Sequence, residues 1–221
     1  MGKYLKLFET HNQYESYTAD TSSFITPNVS YCKDQANVVH YNPYYDPYNG
    51  YDYVDLGLPS GTKWATMNVG ASSITDYGYY YQYGKGNAQY AATSGQSNYT
   101  GTENPLDKSL DTAAIVMGGD WHMPTQTQFN ELIANTTNQW AVINNIYGYK
   151  FTATNGNYVF FPAAGVYANG SKTDVAVYGC YWSSTPTNSN YAILLRFSRS
   201  VGKEVRADNR SCGISVRGVV G

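Results

Sequence analysis

Turn-forming residues are so dense in this chain that long regular elements are not expected, and short strands joined by long loops are the architecture its composition supports. The 221 residues include 21 Gly, 8 Pro and 24 Tyr, with many Asn, Ser and Thr, and only 14% are charged, against roughly 25% in ordinary soluble domains. Gly, Pro and Asn each favour turns for their own backbone reasons. The length suffices for one substantial domain, or a domain with an appendage, without metal or disulfide staples. Tyr, Ser, Gly and Asn are also the residues that antibody-type binding loops favour. A Tyr-rich β protein with no ligand would share this composition, so both readings stay open at this point.

The formal charge of −2 at pH 7 lacks the basic footprint of general nucleic-acid binding, so no nucleic-acid partner is expected. No apolar run approaches the ~18 residues of a membrane helix, and no membrane insertion is expected. The opening Met1-Gly-Lys-Tyr-Leu-Lys-Leu-Phe-Glu9 is too short in its apolar stretch and too interrupted by charge for a secretory signal. The expectation is a chain kept in the cytosol, or one that leaves by lysis or on a particle. Cys32, Cys180 and Cys212 are an odd number without metal-ligand or redox spacing. No disulfide framework is expected, although Cys180 and Cys212 would meet if their loops adjoin.

Residues 1–50 read as a small β-rich segment and linker, and residues 51–221 as the main domain. Tyr4 to Phe8 open a strand; Pro27–Cys32 and Asn37–Tyr41 read as two more, separated by Lys33-Asp34-Gln35. Asn42 to Gly50 is a linker or ordered turn. Tyr53-Val54 and Lys63–Met67 flank a Pro-Ser-Gly turn, a hairpin signal. Residues 75–105 read as a surface-hugging loop with one strand near Tyr79–Tyr83. Asp111 followed by Thr112–Met117 and Gly118-Gly119 fits a short capped helix. Thr125 with Gln128 predicts a capping box, and Phe129, Leu132 and Ile133 form one apolar helix face. Tyr149–Thr154 and Tyr158–Phe161 flank Asn155-Gly156, read as a type I′ turn. Strands are further expected at Ala163–Tyr167, Tyr181–Ser184, Ala192–Phe197, Val201–Arg206 and Ile214–Val220. Two helices among many short strands predict an α+β domain.

The C-terminal stretch mixes a regular framework with residues of no consistent pattern. The framework is Gly179-Cys-Tyr-Trp-Ser-Ser-Thr-Pro186, then Ala192, Leu194 and Phe197, then Arg210, Gly213 and Ser215-Val216-Arg217. Between these points stand residues without common polarity, period or charge, whereas a core requires consistent patterning. The intervening side chains are therefore expected to point to water.

Three separated segments carry a family resemblance: Asp55–Ala71; Gly119-Asp-Trp-His-Met-Pro-Thr125 leading into Phe129-Asn-Glu-Leu132; and Gly179–Pro186 with Ser215-Val-Arg217. Residues 53–219 resemble the Fibrobacter succinogenes major paralogous domain. The family implies a C-type-lectin-like fold, with two helices packed on short antiparallel sheets and long loops. It is related to formylglycine-generating enzymes and to the variable proteins of diversity-generating retroelements. A shorter N-terminal likeness, Phe8–Tyr14 through Pro27–Cys32, is similar to pieces preceding this domain in proteins of gut Bacteroides and their phages. Cys180 and Gly218 depart from the family pattern, where an aromatic or small residue and a Pro are expected.

In such variable proteins, adenine-directed mutagenesis scrambles codons near the C-terminus. Randomising the first two bases of an Asn codon cannot yield Trp, Met, Lys, Glu or Gln, and none of these occurs in 183–202 or 205–213. Lys203 and Glu204 break the pattern and are read as fixed. The resemblance thus implies a variable ligand-binding surface from about residue 178 to 214. Its members are Tyr178, Cys180, Thr187, Ser189, Asn190, Tyr191, Ile193, Leu195, Arg196, Ser198, Arg199, Ser200, Arg206, Asp208, Asn209, Ser211 and Cys212.

Trp121 and Trp182 read as core anchors, and Arg210 and Arg217 as structural, holding loop carbonyls or a carboxylate. Arg196, Arg199 and Arg206 read as contact residues. Calcium-dependent sugar binding would need Glu-Pro-Asn-like and Trp-Asn-Asp-like runs, and neither is present, so no metal or cofactor is expected. His11, His40 and His122 are scattered, Gly84-Lys-Gly-Asn lacks the features of a phosphate loop, and no catalytic residue is expected. The resulting expectation is a phage- or prophage-encoded binding protein, on a virion tail or tip or a bacterial surface. Its partner would be a host cell-surface protein or glycan, with a homo-oligomer on the virion as a further option. The alternatives are a non-diversified bacterial adhesin or glycan-binding module and, third, an enzyme of the formylglycine-generating type.

Overall fold

The computed structural model describes residues 4–7, 14–17, 31–33, 39–41, 48–86 and 99–221. The chain divides into two compact units, Met1–Asp52 and Tyr53–Gly221. In the first unit, β1 (Tyr4–Leu7) pairs antiparallel with β2 (Tyr14–Tyr17), and β3 (Tyr31–Lys33) with β4 (Val39–Tyr41). The β2 strand falls in a polar stretch where none was expected. Asp34 and Gln35, most of the 42–50 linker and residues 87–98 lie outside the described residues.

The second unit is built from small antiparallel sheets. Its strands are β5 (Tyr53–Asp55), β6 (Lys63–Asn68), β7 (Thr137–Ile143), β8 (Ile146–Thr152), β9 (Tyr158–Pro162), β10 (Val166–Ala168), β11 (Ser171–Thr173), β12 (Tyr178–Pro186), β13 (Tyr191–Ser198), β14 (Gly202–Asn209) and β15 (Arg217–Val220). They form three-stranded sheets of order β15-β6-β5, β7-β8-β9 and β12-β13-β14, with β10-β11 as a separate ribbon. Two helices join them, α1 (Thr112–Met117) and α2 (Gln126–Ala134).

The local helix signals operate as the sequence suggests. The Asp111 carboxylate accepts from the Ala114 amide, and Gly118 ends α1 at a φ of 69° with an extended ψ, a conformation open to glycine. Thr125 and Gln128 form the reciprocal capping box, satisfying orphan donors at the start of α2. Yet the expected C-type-lectin-like α+β fold with two packed helices is not what the chain forms. Strands hold 44% of the described residues and helices only 9%, so the chain is mostly β-sheet in several small antiparallel sheets. Both helices are short, α1 of 6 residues and α2 of 9; α2 covers part of one sheet with Phe129 and Leu132, and the strands carry the rest of the architecture. Good caps place a helix end but do not lengthen the helix.

Turn chemistry also departs from expectation. Asn155 keeps a negative φ while Gly156 sits at +86°, and the Gly156 amide donates to the Ala153 carbonyl at 3.0 Å. The β8–β9 connection is therefore a longer turn ending in a left-handed glycine, not type I′. The two-residue turn with both φ positive lies at Asn144 (48°) and Asn145 (64°), between β7 and β8. Asn tolerates this region better than other non-glycine residues. The strand expected near Tyr79–Tyr83 is absent as a strand; Tyr81 makes only an isolated bridge with Ile214. That segment does not hug the surface either, because Tyr80, Tyr81 and Tyr83 are buried.

The core lies where the three larger sheets and α2 meet. Val54, Trp64, Phe129, Leu132, Phe151, Phe161, Tyr181, Leu195, Phe197 and Val219 form one cluster. Tyr181 is its centre, with ring centroids 4.8 Å from Phe161 and 5.8 Å from Phe197. Its hydroxyl donates to the Pro162 carbonyl at 2.7 Å, so the buried polar tip is satisfied.

Arg217 and Arg210 are both buried, and both hold carbonyls. Arg217 donates to the carbonyls of Ala65, Thr66 and Phe160 and to Asn68 Oδ1, and its guanidinium lies over the Phe161 ring. It thereby ties β15 to β6 and β9. Burial pulls its pKa down to about 10. Arg210 donates to the carbonyls of Tyr191, Tyr99 and Gly101 and packs against the Tyr83 ring.

Candidate binding surface

The β12-β13-β14 sheet has an inner and an outer face, fixed by its register. Tyr181, Leu195 and Val205 face each other in one row, as do Gly179, Phe197 and Lys203; this side looks into the core. On the other side the rows are Trp182, Leu194 and Arg206, then Cys180, Arg196 and Glu204. Successive side chains of a strand alternate between faces. Gly179 is required where it stands, because a Cβ there would lie 2.0 Å from Phe197 Cζ.

The outer face is roofed in part. Tyr83 meets Trp182 edge-on at 5.6 Å, and the Trp182 Nε1–H donates to the Tyr81 carbonyl at 2.9 Å. This roof buries Trp182 and Leu194. Beyond it, the Arg196 guanidinium stacks over the Tyr178 ring at 4.1 Å. Arg196 reaches Glu204 at 3.9 Å and Arg206 reaches the same carboxylate at 3.5 Å. Such partly exposed pairs contribute about 1 kcal/mol or less each to stability. Their value is to hold two guanidinium groups in fixed places on an open surface.

Two loops extend this face at opposite ends. In the β12–β13 loop, the Asn188 side chain accepts from the amides of Asn190 and Tyr191, and the Asn190 carbonyl accepts from the Arg210 amide. The backbone is pinned while Thr187, Ser189 and Asn190 are exposed, and Tyr191 beside them is 44% exposed. At the other end, Arg199, Ser200 and Val201 form an exposed turn.

The sequence-predicted set is thus sorted by the fold. Tyr178, Arg196, Arg206 and Asp208 share the outer face with Cys180, and Cys212 lies near enough to act electrostatically on Cys180. Thr187, Ser189, Asn190, Tyr191, Arg199 and Ser200 lie in the two loops or at their edges. Ile193, Asn209, Ser211 and Cys212 are half-buried; Asn209 accepts from the Ser211 amide within a tight turn, and the Ser211 carbonyl accepts from Gln82.

Three members do not point to water. Leu195 is fully buried on the inner face, because the strand's period places it beside Tyr181. Ser198 is buried in the β13–β14 turn, where its Oγ accepts from the Val201 amide. Cys180 is buried too, and burial pushes its thiol up to about 12, with nearby Arg196 opposing. Both Cys180 and Cys212 are free thiols. Glu204, which the sequence marks as fixed rather than variable, sits on this face between Arg196 and Arg206. Its place was legible in principle: Arg196 and Glu204 are equidistant from the centre of the β13–β14 turn and so must pair across it.

This face presents planar cations, aromatic rings, amides and hydroxyls. Among the described residues, no group of three or more His, Cys, Asp or Glu side chains is placed to hold a metal ion. His122 Nδ1 lies 2.9 Å from the Asp120 carbonyl oxygen. Among the described residues no helix is long and apolar enough to cross a membrane. Residues 141–219 match a family described as a domain of unknown function, DUF8237, and this stretch contains all of β12, β13 and β14. No curated protein and no solved structure matches the chain.

Proposed function

We propose that the chain is a non-enzymatic receptor-binding protein whose contact surface is the open part of the β12-β13-β14 outer face with its two flanking loops. The observation that carries this reading is the separation of scaffold from surface. Asn188, Ser198 and Arg210 fix the loop backbones, while Thr187, Ser189, Asn190, Arg199 and Ser200 project without a packing role. Pre-organised loops lose little entropy on binding, and Arg with Tyr is a common hot-spot pair. The target is a host cell-surface protein or glycan, and the carrier a phage, a prophage product or a bacterial surface. Repetition on a particle would multiply modest contacts into avidity.

Diversification of the exposed positions by a retroelement is part of the proposal. It now excludes Leu195, Ser198 and Cys180, whose burial ties them to folding. A reverse-transcriptase gene beside this one, and a near-copy of its 3′ end differing only at adenines, would support it; a lone gene favours a fixed adhesin. Binding itself is tested by screening host cells and glycans with the full chain and with a variant carrying Ala at Thr187, Ser189, Asn190, Arg199 and Arg206. The expected result is loss of binding at an unchanged melting temperature. Undiminished binding would place the contact surface elsewhere.

A further inference from the structure

We propose that β7 is an open sheet edge through which two copies of this chain join, antiparallel, about a two-fold axis at Trp140. In the sheet of order β7-β8-β9, β7 has one neighbour. The two-residue turn at Asn144-Asn145 makes Ile143 and Ile146 a hydrogen-bonded pair, and such pairs alternate along an antiparallel ladder. The backbone groups of Asn138, Trp140 and Val142 therefore point away from β8. An independent contact agrees: Val142 lies across from Tyr147, and the Tyr147 carbonyl accepts from the Ala163 amide, on the side away from β7. Among the described residues, no backbone partner meets the outward groups of these three residues.

Natural sheets guard such edges with charge, proline, bulges or short length. Both edges of the β12-β13-β14 sheet are guarded: β12 ends at Pro186, shifts register between Trp182 and Pro186 and is bridged by Gly165 and Ser215, and β14 carries Lys203, Glu204, Arg206 and Asp208. β7 has none of these guards. Its sequence Thr-Asn-Gln-Trp-Ala-Val-Ile is uncharged, and its register with β8 runs unbroken over all 7 residues. The β7 of a second copy suits this edge: it is equally uncharged, its outward groups have the same two-residue spacing, and it brings the same exposed Val142 to be covered. Centred on Trp140, the pairing sets Trp140 against its own copy and Asn138 against Val142, closing roughly six backbone hydrogen bonds. The contact is isologous, so it stops at a dimer. It would also cover apolar surface, since Val142 is 54% exposed, Tyr147 is 43% exposed, and Tyr147 stacks on Trp140.

Sedimentation equilibrium of the full chain tests this. The expected mass rises with concentration from 24.5 kDa toward twice that value, and the Asn138, Trp140 and Val142 amides gain exchange protection as it does. Val142→Pro removes one outward donor without touching the β7–β8 ladder, and it should hold the chain at single mass. Val142→Lys should do the same if the proline variant proves unfolded by circular dichroism. Arg206→Ala, on the guarded edge, should leave the dimer intact. A wild-type chain of single mass at every concentration, or a dimer undiminished in both Val142 variants, would overturn the proposal.

Discussion

On the inner face of the β12-β13-β14 sheet, Tyr181, Leu195 and Phe197 are sealed against α2 and the neighbouring sheets. One residue along the same strands, Cys180, Arg196, Glu204 and Arg206 line a face that is roofed at one end and open at the other. The backbone is shared, so only the surroundings distinguish these positions. The lesson is that identity is constrained row by row, not segment by segment. Residues 178–214 do not form one surface, and substitutions in adjacent positions should differ widely in cost.

The largest contrast is expected within β13. Phe197→Ala should lower stability by about 3 to 5 kcal/mol and Leu195→Ala by about 2 to 5 kcal/mol, through lost burial and the cavity left behind. Urea unfolding of each variant measures this directly. A cost below about 1 kcal/mol for Leu195 would mean that the inner face is not packed and that the whole segment is free to vary. Gly179→Ala comes next, at about 1 to 3 kcal/mol, because the new methyl would clash with the ring of Phe197, which is itself buried. Coupling sharpens the test. Combined with Phe197→Leu, the Gly179→Ala cost should shrink, whereas independent sites would add.

These expectations explain what sequence reading could reach. Helix caps at Asp111 and Thr125, and the β5–β6 hairpin, depend on residues within a few positions of each other, and they were legible. Arg210 and Arg217 were legible as structural because a cation in a framework of fixed residues needs acceptors. Fold class was not, since two short, well-capped helices say nothing of how many small sheets the strands form or of how those sheets stack. Leu195 was misread for a related reason. Leu194 and Leu195 are both fully buried, one under Trp182 and the Tyr83 roof and the other against Tyr181, so the two-residue period that marks an exposed face vanishes there. The roof comes from a segment about a hundred positions earlier, and no local pattern records it. The β7–β8 turn was missed because Asn-Asn carries a weaker signal than Asn-Gly, although both residues adopt positive φ.

On the open face the costs should be small and specific. Arg196→Ala removes the stack on Tyr178 and the contact with Glu204, which together are worth about 1 kcal/mol. A double-mutant cycle with Tyr178→Ala should recover most of that coupling. An additive result would mean that the guanidinium is already solvated and free to swing.

The smallest effect is expected in the β12–β13 loop, and it separates scaffold from surface most sharply. Thr187, Ser189 and Asn190 are exposed, whereas the Asn188 side chain accepts from two backbone amides. Replacing the three exposed residues singly by Ala should change stability by no more than about 0.5 kcal/mol each, as for other surface sites. Asn188→Ala in the same loop should cost about 1 kcal/mol, because it leaves two amides to water and loosens the turn. Thermal melts of the four single variants make the comparison. If Asn188 proved as neutral as its neighbours, the loop backbone would not be pinned, and the surface would lose the rigidity that lets its side chains change without cost to the fold.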